Sequence, residues 1–325
     1  MLGRLAFSAL LLVAAALPAQ SQAQAPSWPP KTVRVLVPFG PGSTPDIVAR
    51  LVAEGLGKKH PGSVFVVENK PGASGNLGTD TVAKAAPDGT TIGVSIGGPL
   101  AINTLLFSKL PYDPQKDIAP VTQLITQPSA LAVNPGLNVN TVAELIALLK
   151  ANPGKYNFAS IGNGSLSHLA MEALAIKAGV KLVHIPYQAS PAAMTAIMRG
   201  DAQMGCLPAI SVTPQAANGA VKILAVSTAK RSPFLKDVPT LKESGIDVEA
   251  DAWMGLIAPG ATPPALVEAI NKDVVEIIKQ PGVVDKLATQ LMEPVGSSPA
   301  DFRKLMNAEI DRWAPVIKAA DVKVN

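Results

Sequence analysis

The sequence predicts an α/β protein in which strands and helices alternate in two successive sets. Three observations lead there. Short runs of branched apolar residues are bounded by turn residues, stretches of helical periodicity lie between them, and 325 residues are too many for one small core but suit two lobes of ordinary domain size. Strands that return through helices form mainly parallel sheets covered on both faces.

The first strand is expected at Val33 to Val37, followed by the loop Gly40-Pro41-Gly42-Ser43-Thr44-Pro45-Asp46. A helix follows, with Thr44 as its cap, Pro45 pre-shaped for its first position, and Ile47, Val48, Leu51 and Val52 on one face. A second unit has a strand at Val64 to Val67, a loop at Lys70 to Gly75 and a short helix through Ala85 that stops at Pro87-Asp88-Gly89, before a strand at Thr91 to Ser95. The middle of the chain repeats the alternation: strand Tyr156 to Ser160, loop Gly162 to Ser167, and helix Leu169 to Ala178 with Gly179 as its end. Strand Leu182 to Ile185, helix Ala192 to Met198 with Gly200 behind it, and strands Ala202 to Cys206 and Lys222 to Val226 complete this set.

The N-terminus reads as an export signal: Arg4, an apolar run from Leu5 to Leu17, then small residues ending at Ser21-Gln22-Ala23. The run is shorter than the roughly 20 residues that span a bilayer, so residues 1–23 are expected to be cleaved and the mature chain to reside in the periplasm without inserting in the membrane. Cys206 is the only cysteine; it provides neither a disulfide framework nor a lipid attachment point at the signal junction. The formal charge of +4 falls by one when Arg4 leaves. Cations are scattered and aromatic residues make up only 4% of the chain, a composition that argues against nucleic-acid binding and is compatible with anionic solutes.

In both halves a strand runs into a loop rich in Gly, Ser and Thr that opens a helix. Unpaired backbone N–H groups and the positive end of the helix dipole make such points anion-binding without any Lys or Arg, and ligands of open α/β sheets sit at the carboxyl ends of strands. Catalytic patterns are weak by comparison. Gly72, Gly75 and Gly78 lack the close glycine pair of a dinucleotide fingerprint, and there is no phosphate-binding P-loop or nucleophile elbow. Ser227-Thr228-Ala229-Lys230 matches the S-x-x-K of serine acylases, but its companion motifs do not follow. His60, His168 and His184 fall in separate elements without metal-ligand spacing, so neither a cofactor nor a metal is expected. His168 either lines a cleft or bonds to the loop backbone, and Cys206 reads as a small core residue.

Several segments carry a family resemblance: Val37-Pro38-Phe39 through Asp46-Ile47-Val48-Ala49-Arg50; Val67-Glu68-Asn69-Lys70-Pro71-Gly72-Ala73-Ser74-Gly75-Asn76; Ala86-Pro87-Asp88-Gly89; Leu110-Pro111-Tyr112-Asp113-Pro114; Ser160 to Ser165 with His168; His184-Ile185-Pro186-Tyr187; Pro259 to Pro263; and Glu293-Pro294-Val295-Gly296. Together they resemble the Bug family, the TctC-like receptors of tripartite tricarboxylate transporters, over nearly the whole mature chain.

The resemblance implies a two-lobed type II periplasmic-binding fold with the ligand cleft between lobes. The chain would cross near Gln127 to Ala130 and near Asp251 to Leu256, so that residues 24–128 plus 253–325 form lobe 1 and residues 129–252 form lobe 2. It further implies a monomer that captures a small carboxylate and delivers it to the membrane components of a tripartite transporter. Carried over by position, the ligand-binding residues are Phe39, Gly42, Ser43, Thr44, Asp46, Ser95, Gly97 and Gly98 from lobe 1, and Ser160, Gly162, Asn163, Gly164, Ser165, His168, Tyr187, Leu207 and Pro208 from lobe 2. Asp46 is expected to orient its loop rather than touch an anion.

Two departures bear on the ligand. Many relatives read P-P-G-G-x-T-D where this chain has Gly40 to Asp46, so a loop hydroxyl has moved. Relatives that take amino acids often carry an Asp after the Gln-Met pair, whereas Gln203-Met204 here is followed by Gly205-Cys206-Leu207-Pro208. A ligand without an amino group, a dicarboxylate or an aromatic acid, is therefore expected. A ligand-sensing partner of a membrane signalling protein would share all these features, and a serine acyl-transfer enzyme using Ser227 and Lys230 is the third reading.

Overall fold

A computed structural model describes residues 28–324. The expected signal segment, 1–23, lies outside them. The first half runs β1 (Thr32–Val37), α1 (Thr44–Lys59), β2 (Val64–Asn69), α2 (Asn76–Ala83), β3 (Thr91–Ile96), α3 (Asn103–Leu106) and β4 (Ile118–Gln127). The middle runs β5 (Ser129–Val133), α4 (Val142–Ala151), β6 (Asn157–Ser160), α5 (Leu166–Ala178), β7 (Val183–Pro186), α6 (Ser190–Arg199), β8 (Met204–Pro208), α7 (Ala209–Ala217) and β9 (Lys222–Val226). The chain closes with β10 (Ala252–Pro259), α8 (Pro264–Ile278), α9 (Pro281–Ala288), β11 (Glu293–Pro294) and α10 (Pro299–Ala319).

These strands make two sheets, ordered β11-β4-β10-β3-β1-β2 and β7-β6-β8-β5-β9. Each is mainly parallel in strand direction, with one full-length strand reversed: β10 is antiparallel to β3 and β4, and β5 is antiparallel to β8 and β9. No local pattern in the sequence distinguishes these reversed strands. β5 follows β4 directly through Pro128, and β10 follows the return of the chain after β9, so each enters its sheet from the end at which the parallel strands finish. The register of β8 also differs from expectation. It is set by the antiparallel ladder Ser129↔Pro208 through Val133↔Met204, which moves the strand toward Pro208 and leaves Ala202 outside it.

Both sheets are covered on two faces, as alternation along the strands requires. Val33, Val35 and Val37 of β1 pack with Val48, Val52 and Leu56 of α1 and with Leu266, Ile270 and Val274 of α8. Leu36 points the other way, into a cluster with Val82, Trp253, Ile257, Phe302 and Met306. In β5, Leu131 and Val133 join Phe158, Leu169 and Leu174, while Ala130 and Ala132 join Ala193, Ile197 and Val212 on the opposite face.

α10 contributes to both halves. Phe302 and Met306 lie in the first-sheet cluster, whereas Trp313 and Ile317 lie in the second-sheet cluster. Its approach to the first sheet depends on Gly255 of β10, where an added Cβ would come within 1.9 Å of the Phe302 ring.

Candidate ligand site

The loops expected to bind ligand lie at the carboxyl ends of β1, β3, β6, β7 and β8. In the first, Ser43 rather than Thr44 occupies the N-cap position of α1, with φ −69° and ψ 158°, and Thr44 and Pro45 are the first helical residues. The Ser43 hydroxyl makes no capping bond and, among the described residues, is buried without a hydrogen-bond partner. The sixteen-residue α1 therefore presents its positive end and an uncommitted hydroxyl together.

Asp46 holds this loop in shape. Its Oδ2 accepts the Gly42 N–H at 2.9 Å and Arg50 Nε at 3.0 Å, and its Oδ1 accepts Arg50 Nη2 and Asn69 Nδ2, both at 2.9 Å. Burial alone would raise its pKa, but the bonds from Arg50, Gly42 and Asn69 outweigh that and hold it down at about 2. Asn69 Nδ2 also reaches the Phe39 carbonyl at 2.9 Å, tying the end of β2 to the loop after β1.

A second loop belongs with the first, although it is absent from the residues expected to bind ligand. Gly72, Ala73, Ser74 and Gly75 all have positive φ, at 138°, 47°, 56° and 88°. Ala73 and Ser74 occupy a region that disfavours residues with a Cβ, and such strain persists only where the surroundings impose it. Gly75 is wedged so closely that an added Cβ would meet Pro99 at 2.7 Å and the Phe39 ring at 2.8 Å. Asn76 anchors the far side: its Oδ1 accepts Asn103 Nδ2 at 2.6 Å and the Tyr112 hydroxyl at 3.2 Å. Ser74 stays exposed on this strained turn and joins the candidate contacts. The segment Pro71 to Asn76 was visible in the sequence, but its backbone strain was not.

Beyond β3, Gly97 lies against the Trp253 ring, 3.1 Å from where its Cβ would stand, and Gly98 begins a wider helical turn that ends at Ile102. Ser95 does not face the loops. It is 1% exposed, and its Oγ lies 3.0 Å from that of Thr79. Ser95 therefore supports the sheet rather than presenting a hydroxyl.

In the second half the loop after β6 is largely self-satisfied. Ser165 caps α5 by accepting the His168 N–H at 3.4 Å, its hydroxyl reaches the Gly162 carbonyl at 2.6 Å, and Ser167 Oγ lies 2.9 Å away. Ser160 is buried, with its Oγ 2.6 Å from His184 Nε2 and 3.1 Å from the Gly162 carbonyl. His168 is also buried, and its Nδ1 accepts the Gly164 N–H at 3.1 Å, so it bonds to the loop backbone rather than lining an open surface. The rings of His168, His184 and Phe158 stack, the two imidazoles 3.7 Å apart and 9° from parallel. Burial, then the neighbouring His168, pushes the His184 pKa down to about 4 against a smaller opposing pull from Glu172.

Three other expected contacts are placed differently from one another. Tyr187 is half-buried beside the loop, its N–H bonded to the Ser160 carbonyl at 3.0 Å. Pro208 is half-buried at the start of α7. The Leu207 side chain is fully buried in the core with Ala130 and Val212, because β8 alternates and this position faces inward. Leu207 therefore has only its backbone to offer a ligand.

The serine-acylase pattern loses its geometric basis here. Ser227 is fully buried, with its hydroxyl 3.0 Å from the Ala250 carbonyl and 3.2 Å from that of Ser129, while Lys230 is exposed. Ser227 fastens the two stretches of chain that pass between the sheets. Cys206 is buried and its thiol is pushed up to about 12 by burial, opposed by Ser227, as suits a core residue and not a nucleophile.

Two mainly parallel sheets, joined by two crossings and carrying glycine-rich loops at their strand ends, define a two-lobed solute-binding protein. Residues 48–322 match the model of the tripartite tricarboxylate transporter family receptor, and the chain belongs to that family. It is 33% identical to protein BugT of Bordetella pertussis over 304 residues, 92% of either chain. It is 34% identical to a protein encoded in the tcbD-tcbE intergenic region of Pseudomonas sp. strain P51, over 90% of this chain and 87% of the other.

Among solved structures, a protein of R. palustris with adipate superposes with a TM-score of 0.79 at 33% identity, covering 91% of this chain and 99% of that one. MatC from Rhodopseudomonas palustris with bound malate gives a TM-score of 0.74 at 31% identity, covering 89% and 100%. The family is one of solute-binding receptors, not enzymes.

Proposed function

We propose that this receptor binds a small dicarboxylate lacking an amino group between its lobes in the periplasm, acts as a monomer, and passes the solute to the membrane components of a tripartite transporter. The observation that carries the reading is the open start of α1, where the buried Ser43 hydroxyl has no protein partner among the described residues. A buried hydroxyl without a partner is costly, and a carboxylate oxygen would satisfy both it and the adjoining N–H groups. Gly42, Thr44 and Ser74 complete this side, with the backbone at Gly97 and Gly98 beside it. Across the cleft, the backbone of Gly162 to Ser165, Tyr187 and Pro208 form the facing wall. The lobes are taken as 24–128 with 253–325, and 129–252.

Adipate and malate, bound by two similar receptors, are both dicarboxylates without an amino group. No acid follows Gln203-Met204 to pair one. The test is thermal unfolding of refolded, ligand-free protein against adipate, malate, aromatic acids, aspartate and glutamate. A ligand at 100 times its Kd contributes about 2.7 kcal/mol, a shift of several degrees. A shift with adipate or malate and none with aspartate or glutamate is expected; the reverse pattern, or no shift with any acid, would overturn the reading.

A further inference from the structure

We propose that Lys323 and Val324, which follow α10, are a positioning element for the second-lobe ligand loop, Gly162 to Ser165. The inference rests on the reading of that loop as one wall of the carboxylate site.

The geometry begins with the end of α10. Asp321 takes a left-handed conformation, φ 49°, one residue past the cap, and Val322 N–H bonds back to the Ile317 carbonyl at 3.1 Å. That is the bond pattern of a Schellman ending, which reverses the chain and places the residue after the turn against the helix. Val322 and Ile317 accordingly lie in one buried cluster with Trp313. The reversal directs the chain onto the loop. Asn163 Nδ2 donates to the Lys323 carbonyl at 2.5 Å. Gly164 is buried beside Val324, and a Cβ there would stand 2.8 Å from Val324 Cγ2 and 2.7 Å from Leu106 Cδ1.

Gly164 thus sits between Val324 and α3, the helix that continues the first-lobe segment Gly98 to Ile102. With φ 72° and no side chain, it allows the loop to be held from both sides. Asn163, expected to contact ligand, has its amide committed to this clasp. Lys323 and Val324 are fixed in turn by α10, whose Arg303 guanidinium donates to the Pro114 and Ile118 carbonyls of the first half at 2.9 and 2.5 Å. One continuous element therefore connects the first lobe to the wall of the site on the second.

The experiment compares the full chain with a chain ending at Val322 and with Val324→Gly, Val324→Ile and Asn163→Ala. Amide hydrogen exchange, followed without ligand, is expected to accelerate at Gly162 to Ser165 in the shortened chain, Val324→Gly and Asn163→Ala, while β5 and β8 exchange as before. Val324→Ile should keep the original rate. Kd for whichever of adipate or malate binds the full chain should rise about tenfold, mainly through faster dissociation, since losing one hydrogen bond and its packing is worth about that factor. Unchanged loop exchange in all these variants overturns the proposal, as does accelerated exchange with an unchanged Kd. If neither acid binds the full chain, the carboxylate reading fails, and faster loop exchange in the variants still supports the holding of the loop by Lys323 and Val324. Val324→Gly keeps the test falsifiable if the shortened chain does not fold.

Discussion

Ser43 and Ser165 both stand at N-cap positions of helices that open from glycine-bearing loops, yet their oxygens have opposite fates. Ser165 accepts the helix N–H and is bonded to its own loop, so Ser165→Ala should cost about 1 kcal/mol of stability, as removal of an N-cap does. Ser43 caps nothing. Ser43→Ala removes a buried hydroxyl without a protein partner, so it should leave the ligand-free melting temperature at or a few degrees above that of the parent, and on the proposed reading it should weaken carboxylate binding about tenfold. Equilibrium binding beside thermal unfolding separates the two; a large drop in ligand-free stability for Ser43→Ala would show the hydroxyl to be structural. The sequence made the two serines look alike, since both follow glycine in a loop before a helix. Only the placed neighbours distinguish them.

At the scale of elements, β6, β7 and α5 meet in the stack of Phe158, His184 and His168 beneath the second-lobe loop. The depressed pKa of His184 gives a signed expectation. A histidine held at about 4 against an ordinary 6.5 adds stability above pH 6.5 and loses it as pH falls from 6.5 toward 4, because the unfolded chain takes up the proton first. Urea unfolding at stepped pH should show this decline in the parent. His184→Phe, which keeps an aromatic ring in the stack, should flatten it over that window; an identical slope in both proteins would assign the titration to another group. The alternation of β6, α5 and β7 was legible in the sequence, and β9 coincides with its expected span. The ring stack was not legible, because His168 and His184 lie on different elements and only the parallel pairing of β6 with β7 brings them together.

Over the whole molecule, α10 carries the connection between the halves. Glu309 is 1% exposed and accepts Trp313 Nε1 at 3.0 Å and Arg312 Nη1 at 2.5 Å, while Arg312 Nη2 reaches Glu249 at 3.0 Å. Burial raises the Glu309 pKa, with Arg312 beside it as the main opposing charge. Trp313 is fully buried at this junction, so Trp313→Ala should cost about 3–5 kcal/mol and lower the melting temperature by about 10 °C in a chain of this length. Calorimetry would check it, and a loss under about 1 kcal/mol would mean that α10 is not a structural tie between the halves.

The sequence by itself determined the class of fold, the strands of the two parallel cores and the glycine-bearing loops that follow them, because these depend on local periodicity and on the backbone demands of Gly, Pro and Ser. The tertiary structure decided which hydroxyls are spent and which remain available, why β5 and β10 run backward, and where the segment after α10 comes to rest. Those outcomes depend on contacts between residues as distant as Asn163 and Lys323 or Ser129 and Ser227, and no local pattern encodes such pairings.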